Sequence, residues 1–383
     1  MSACEGDSRY RSRSRTFMIA AIGAILLACG IPAAARAGQS DGVHLLWRRP
    51  VDGTGQFPWG IPAANKSSLF VISSSINAYS LTSGAVEWLA PVHSYLPRSL
   101  VTAKGMVFVP EAIVSALDAK TGRTIWEFTP DANASLGRAT TQGSALYFGT
   151  SSHRLYALRT SDGKRLWDID LGPDWEYPAV VRGVAVSGGE LYATLEQWRT
   201  PNGTSSSGWL IAVNAKTRKT LWRYSTGSGS QRRGLSSSPV VTPRLVLVSD
   251  YLSNAIEAVD RRTGQSVWRF HGESGFVGFP EAPIVAGSTV YAGSGDTYVY
   301  ALDLSSGHLL WRTKMPTSNE AYALCGKSLL VNNSRLAALD PRSGHIAQVL
   351  LGDNDEFATS KFAVVGKRAF IVGPRAMYAF ACR

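Results

Sequence analysis

Cysteine is scarce in this chain of 383 residues: there are four, and two of them, Cys4 and Cys29, fall within the first 37 positions. The other two, Cys325 and Cys382, stand 57 positions apart, so neither a Cys-x-x-Cys metal or redox motif nor a Cys-x-x-Cys-His haem attachment is present. Histidine is equally thin, and His44, His93, His153, His271, His308 and His345 show no ligand spacing. No metal centre is expected. No glycine-rich loop joins a strand to a helix, so Gly293-Ser-Gly295 reads as a hairpin turn rather than a phosphate cradle, and there is no nucleophile elbow. Charge is low too, at 17% of residues against 45% apolar, a balance that excludes disorder and leaves a folded globular chain.

The N-terminus carries an address. Arg9, Arg11, Arg13 and Arg15 precede a short apolar run over 17–29, Pro32 breaks it, and Ala35-Arg36-Ala37 is an A-x-A cleavage signature. Residues 1–37 are therefore expected to be a secretory signal peptide and residues 38–383 the mature domain. A second processing site stays open: Leu26-Leu27-Ala28-Cys29 resembles a lipobox in which Cys29 would become a membrane tether, although Leu27 departs from the small residue preferred there. Removing five arginines and two acids from a net charge of +11 leaves the mature chain basic, at about +8. With no Lys/Arg-rich run past the signal, nucleic acid is not expected as a partner. In an exported chain Cys325 and Cys382 could form one bridge or remain two buried thiols.

What the chain has in abundance is a phrase of eleven residues. It appears as Ala78…Gly84…Trp88, Ala116…Gly122…Trp126, Ala157…Gly163…Trp167, Ala212…Arg218…Trp222, Ala258…Gly264…Trp268, Ala301…Gly307…Trp311 and Ala338…Gly344…Gln348. A period of roughly 37 to 55 residues means one supersecondary unit stacked many times, none able to bury its apolar face alone. Within the phrase, Asp118, Asp260, Asp303 and Asp340 can accept backbone N–H groups, and the glycine four positions later can take a positive φ. The tryptophan is large enough to wedge between units, with its N–H seeking an acceptor. Two short β-rich runs before each phrase complete four antiparallel strands, the blade of a propeller.

The termini complete the count. Leu45-Leu-Trp47 looks like the end of a phrase without its beginning, and Met377-Tyr-Ala379-Phe-Ala-Cys382 looks like a beginning without its end. The prediction is an all-β, eight-bladed β-propeller whose last blade is closed by the N-terminal strand, seven blades being the alternative. Trp47, Trp88, Trp126, Trp167, Trp222, Trp268 and Trp311 are assigned to structure.

The phrases, written A-x-D-x-x-[TS]-G-x-x-x-W, resemble those of the pyrroloquinoline-quinone (PQQ) repeat family of propellers over almost all of 43–383. Two branches of that family matter, quinoprotein dehydrogenases and non-catalytic scaffolds of the BamB type in the outer-membrane barrel-assembly machinery. An exported chain of eight repeats looks like the second. The dehydrogenases usually show adjacent cysteines against the cofactor and a calcium site, and this cysteine pattern lacks the first. The resemblance thus implies a non-enzymatic, monomeric scaffold without cofactor, periplasmic or secreted, holding a protein partner of the cell envelope. The alternatives are a PQQ- and calcium-dependent alcohol or sugar dehydrogenase, or a carbohydrate- or polymer-binding propeller.

Binding is expected on the face where blade-to-blade loops emerge, because loops longer than the repeat needs concentrate there: 52–62, 168–178, 196–209, 224–239 and 270–283. The partner-binding candidates are Trp59, Trp175, Trp198, Trp209, Arg232, Arg233, Phe276 and Phe279, since aromatic and arginine side chains dominate interface energetics. The alternative for the aromatics is that they plug the propeller mouth. Arg98 and Arg138, which precede inner strands in similar register, and Glu281 are candidates for the channel mouth.

Overall fold

A computed structural model describes residues 42–50, 60–92, 99–130, 136–172, 175, 179–198, 206–227, 234–235, 237–273, 278–317, 321–351, 361–373 and 376–383. The expected signal peptide, Trp59, Arg98, Arg232, Arg233 and Phe276 lie outside these residues, and of Trp198 only the backbone is described.

The described residues form strands and turns arranged as an eight-bladed β-propeller, every blade a four-stranded antiparallel sheet. Blade 6 shows the plan, with inner strand Ile284–Ala286, then Thr289–Gly293 and Tyr298–Asp303, and outer strand Leu309–Lys314. Blade 8 assembles its inner three strands from Phe362–Val365, Arg368–Val372 and Ala376–Ala381 and takes His44–Pro50 as the fourth. Joining the two ends of the chain in one sheet removes a free edge that could otherwise pair with another molecule. Buried residues gather into clusters that each span the seam between two neighbouring blades, such as Leu247, Ile256 and Trp268 of blade 5 with Val290, Ala292 and Tyr300 of blade 6. The core is the set of seams.

The phrase builds each seam. Its alanine faces its tryptophan across the outer strand pair, as in Ala116 opposite Trp126 and Ala301 opposite Trp311, and Ala379 opposite Trp47 shows the divided phrase reunited. The small side chain leaves room for the indole, which leans onto the next blade. There its Nε1–H donates to a backbone carbonyl just past the aspartate position: Trp47 to Leu81, Trp88 to Ala119, Trp126 to Thr160, Trp222 to Arg261, Trp268 to Leu304 and Trp311 to Pro341, at 2.8 to 3.2 Å. The glycine beneath has a double reason. Gly264 has φ +74° and Gly307 +70°, and a Cβ on either would lie 2.6 Å from the indole above. The aspartate shapes the same turn: Asp303 accepts from the N–H groups of Ser305 and Ser306 and from both hydroxyls, which holds its pKa down to about 2.

Two phrases depart from the pattern. Arg218 keeps the positive φ of the glycine it replaces, at +63°, beyond the blade 3 outer strand that bears Trp167. Gln348 stands where the tryptophan of the seventh phrase would, because blade 8 has no turn between its third and fourth strands on which an indole could rest. The amide oxygen instead accepts the N–H of Val43, at 3.3 Å. A disulfide between Cys325, ending the inner strand of blade 7, and Cys382, following the third strand of blade 8, ties this seam.

Candidate functional site

Strand direction in a four-stranded meander sends the connections into each inner strand to one face, together with those between the second and third strands. The long segments lie on this loop-rich face, and the tight turns of the phrase lie on the other. On the loop-rich face blade 4 differs from its neighbours. Its inner strand Ala179–Ser187 and its next two strands, Glu190–Trp198 and Ser206–Asn214, are nine residues each, against three, five and six in blade 6. Much of the stretch read as a loop over 196–209 is strand: Glu196, Gln197 and Trp198 pair with Gly208, Ser207 and Ser206. The insertion is thus a hairpin extension, whose alternating residues were legible only once the pairing was known.

Two of the candidate tryptophans meet at its base. Trp175 and Trp209, both half-buried, have ring centroids 5.6 Å apart, Trp209 donates to Gln197 Oε1 at 3.0 Å, and Gly172 lies beneath Trp175 with no room for a Cβ. His153, held at φ +50°, packs edge-on against Trp175 with its Nε2 3.4 Å from Asp170. This aromatic rim spans the junction of blades 3 and 4. Phe279 has a different place from the one expected of a partner-binding residue. It is wholly buried, packed against Phe270 and Tyr300 in the blade 5–6 seam, and its approach to a partner would require unpacking the core.

Among the described residues of this face a charged cluster draws together residues that precede three inner strands. Arg138, two positions before the inner strand of blade 3, reaches Glu281, three positions before that of blade 6, with Nη1 donating to Oε2 at 2.8 Å and Nη2 to Oε1 at 3.0 Å. Lys361, one position before the inner strand of blade 8, contributes its Nζ at 2.9 Å from the same carboxylate. Residues from three separate blades, two of them 143 positions apart in the chain, therefore converge on one carboxylate. Burial works to raise the pKa of Glu281, but the charges and hydrogen bonds of Arg138 and Lys361 outweigh it, and the net shift is downward. The backbone here is braced as well: Ser249 donates to the Glu281 carbonyl at 2.8 Å and Tyr322 to that of Ala282 at 2.9 Å. Burial, with the nearby Glu281 charge, holds the Tyr322 hydroxyl protonated well above the usual range.

Inner strands approach closely at this end. Arg138 N donates to the Arg182 carbonyl at 3.0 Å, and a Cβ on Gly137 would lie 2.2 Å from the Val181 carbonyl oxygen. Arg182, half-buried at a bulge in the blade 4 inner strand, turns its guanidinium to the buried Glu196, so an ion pair ties the hairpin extension to that strand. Lys361, Tyr322, Arg182 and Glu196 were not among the sequence candidates. Lys361 alone had a signal, a cation just before an inner strand, as at Arg138. Among the described residues no group of three or more His, Cys, Asp and Glu side chains is placed to hold a metal ion.

Comparison with known proteins follows the same lines. The sequence model of the outer membrane protein assembly factor BamB family matches residues 39–174 and 110–349. The BamB of Yersinia pestis is 27% identical over 255 residues, which span 61% of this chain and 60% of that protein. The crystal structure of BamB from Moraxella catarrhalis superposes with a TM-score of 0.68 at 15% identity, over 88% of this chain and 99% of that one. The quinohemoprotein alcohol dehydrogenase of Comamonas testosteroni superposes equally well, with a TM-score of 0.71 at 13% identity over 89% of this chain and 77% of the enzyme. Likeness of fold alone does not separate the two kinds of protein.

Proposed function

Because the chain belongs to the family of the outer membrane protein assembly factor BamB, we propose that it is a non-catalytic propeller of the cell envelope that holds a protein partner of the barrel-assembly machinery against its loop-rich face. The observation that carries this reading is the cross-channel cluster of Arg138, Glu281 and Lys361. PQQ is a quinone bearing three carboxylates, and a site for it needs cations free to meet them. Both described cations at the mouth are engaged by Glu281, so these residues do not fit the cofactor, and the chemistry of the dehydrogenases finds no footing in them. Among the described residues recognition falls to the rim, where Trp175, ahead of the blade 4 inner strand, and Trp209, on the hairpin that the Arg182–Glu196 pair ties to that strand, offer half-exposed aromatic surface.

Affinity purification from envelope fractions tests the partner: barrel-assembly subunits should co-purify, and their consistent absence would overturn the assignment. Trp175→Ala and Trp209→Ala should each weaken that association by about tenfold or more while cooperative unfolding is retained. Addition of PQQ with calcium should produce neither an absorbance change nor a thermal shift; a stoichiometric shift would install the dehydrogenase reading instead. Export is part of the proposal, and the intact mass of the mature chain separates a soluble product beginning at Gly38 from one lipidated at Cys29.

A further inference from the structure

The face of tight turns carries a feature that the repeat does not require. Between blades 4 and 5 lies a cavity of about 740 Å³ lined by Trp222, Glu190, Asp260 and three arginines, Arg244, Arg261 and Arg262. Beside it, between blades 5 and 6, runs a more apolar groove of about 320 Å³ formed with Leu245, Val267 and Leu304. The two share Pro243, Arg244 and Asp260, so they are continuous around one turn. That turn is itself irregular. The equivalent connections in blades 2, 3, 4, 6, 7 and 8 contain a glycine of positive φ, at Gly105, Gly143, Gly188, Gly287, Gly326 and Gly366, whereas blade 1 has Asn65-Lys66-Ser67 and blade 5 has Thr242-Pro243-Arg244, with Thr242 Oγ1 accepting the Leu245 N–H at 2.9 Å.

The charges in the cavity do not cancel locally. Arg261 is fully engaged: its Nε donates to Glu190 at 3.0 Å and to the Tyr192 hydroxyl at 2.9 Å, and its Nη2 donates to the Ser187 carbonyl at 3.0 Å. Glu190 is thereby neutralised, and Asp260 is engaged by the N–H groups of Arg262 and Thr263 at 3.1 and 2.8 Å. Arg244 and Arg262 are exposed, and neither forms an ion pair among the described residues. A polar cavity with two available guanidinium groups thus adjoins an apolar groove whose wall, Val267, is 48% exposed to water.

We infer that this seam binds a single anionic amphiphile, its phosphate- or carboxylate-type head against Arg244 and Arg262 and its apolar chain in the groove along Val267 and Leu304. Charge complementarity selects the head and the adjoining apolar walls select the tail. Turns of other blades on this face carry cations such as Lys120, Lys164 and Arg342 beside their aspartates, so what favours a single amphiphile over a flat anionic bilayer is the apolar groove of Leu245, Val267 and Leu304 directly beside the arginine pair.

Dodecyl phosphate below its micellar concentration is the probe, with titration calorimetry or tryptophan fluorescence as the readout on the mature chain. It should bind at least tenfold more tightly than either inorganic phosphate or dodecyl maltoside. Combined Arg244→Gln and Arg262→Gln should remove that preference with the melting temperature unchanged, and Val267→Asn should weaken dodecyl phosphate while leaving inorganic phosphate as it was. Equal binding of phosphate and dodecyl phosphate, or indifference to the arginine pair, would overturn the assignment. So would binding confined to anionic vesicles, which would make the face a bilayer surface, or an acidic peptide displacing dodecyl phosphate at far lower concentration, which would make it a protein interface.

Discussion

The seam between blades 5 and 6 and the seam between blades 7 and 8 solve one problem in two ways. In the first, Trp268 lies on Gly307 and donates to the Leu304 carbonyl at 2.9 Å, and its neighbours are buried apolar side chains. In the second the third and fourth strands of blade 8, Ala376–Ala381 and His44–Pro50, are not consecutive in sequence, so no turn joins them to seat an indole, and the sequence supplies Gln348, which accepts the Val43 N–H, and a disulfide from Cys325 to Cys382. The difference shows that the tryptophan is not a blade feature at all. It belongs to the following blade's turn, and where that turn is missing the tryptophan is missing too. A covalent bond then supplies, by restricting the unfolded chain, what the indole supplies elsewhere by packing.

The comparison can be broken at either seam. The largest effect is expected at the closing one: replacing both Cys325 and Cys382 by alanine removes a cross-link over 57 positions and should cost about 4 kcal/mol by chain entropy. Denaturant unfolding with and without reductant checks it, and the two curves should coincide for the double variant. At the regular seam, Gly307→Val forces a branched side chain onto φ +70° and into the indole. A loss of about 3 kcal/mol is expected, with quenching or shift of Trp268 emission as the local sign that the stack has opened.

A third variant sharpens the contrast between seam and channel. Glu281→Gln leaves Arg138 and Lys361 close together without their shared anion and should destabilise the propeller by about 2 kcal/mol at neutral pH, the pair being partly hydrated. The folded pKa of Glu281 lies below its unfolded value of about 4.3, so the native carboxylate stabilises the fold above that value and ceases to do so as pH falls through the lowered pKa. The gap in melting temperature between wild type and variant should accordingly close in acid and open again on neutralisation. The smallest effect is expected where the pattern lapses without a broken contact: Arg218→Gly removes a Cβ from φ +63° and should stabilise by about 1 kcal/mol, the opposite sign from Gly307→Val at the same position of another phrase.

Legibility followed the same division. The seven repeat tryptophans, their alanines and the aspartate turns were readable because a local pattern of eleven residues carries each whole contact, and repetition in register magnifies it. The divided eighth blade was readable for the same reason, as two halves of one phrase. Phe279 was misplaced because its apolarity fits a plug, an interface or a core equally, and only the Phe270 and Tyr300 rings around it distinguish them. The 196–209 segment was read as a loop because it exceeds what the repeat needs, whereas cross-strand pairing governs its ends.

By itself, then, the sequence determined the number of blades, their order and the way the ring closes, since a local phrase marks each blade and its two halves, at 45–47 and 377–382, mark the divided one. The tertiary structure alone decided what the channel mouth contains. Arg138, Glu281 and Lys361 belong to blades 3, 6 and 8, and no periodicity links them. They meet because the ring brings the starts of its inner strands to a common axis, and because a carboxylate drawn out of water is stable only where cations from across that axis can reach it.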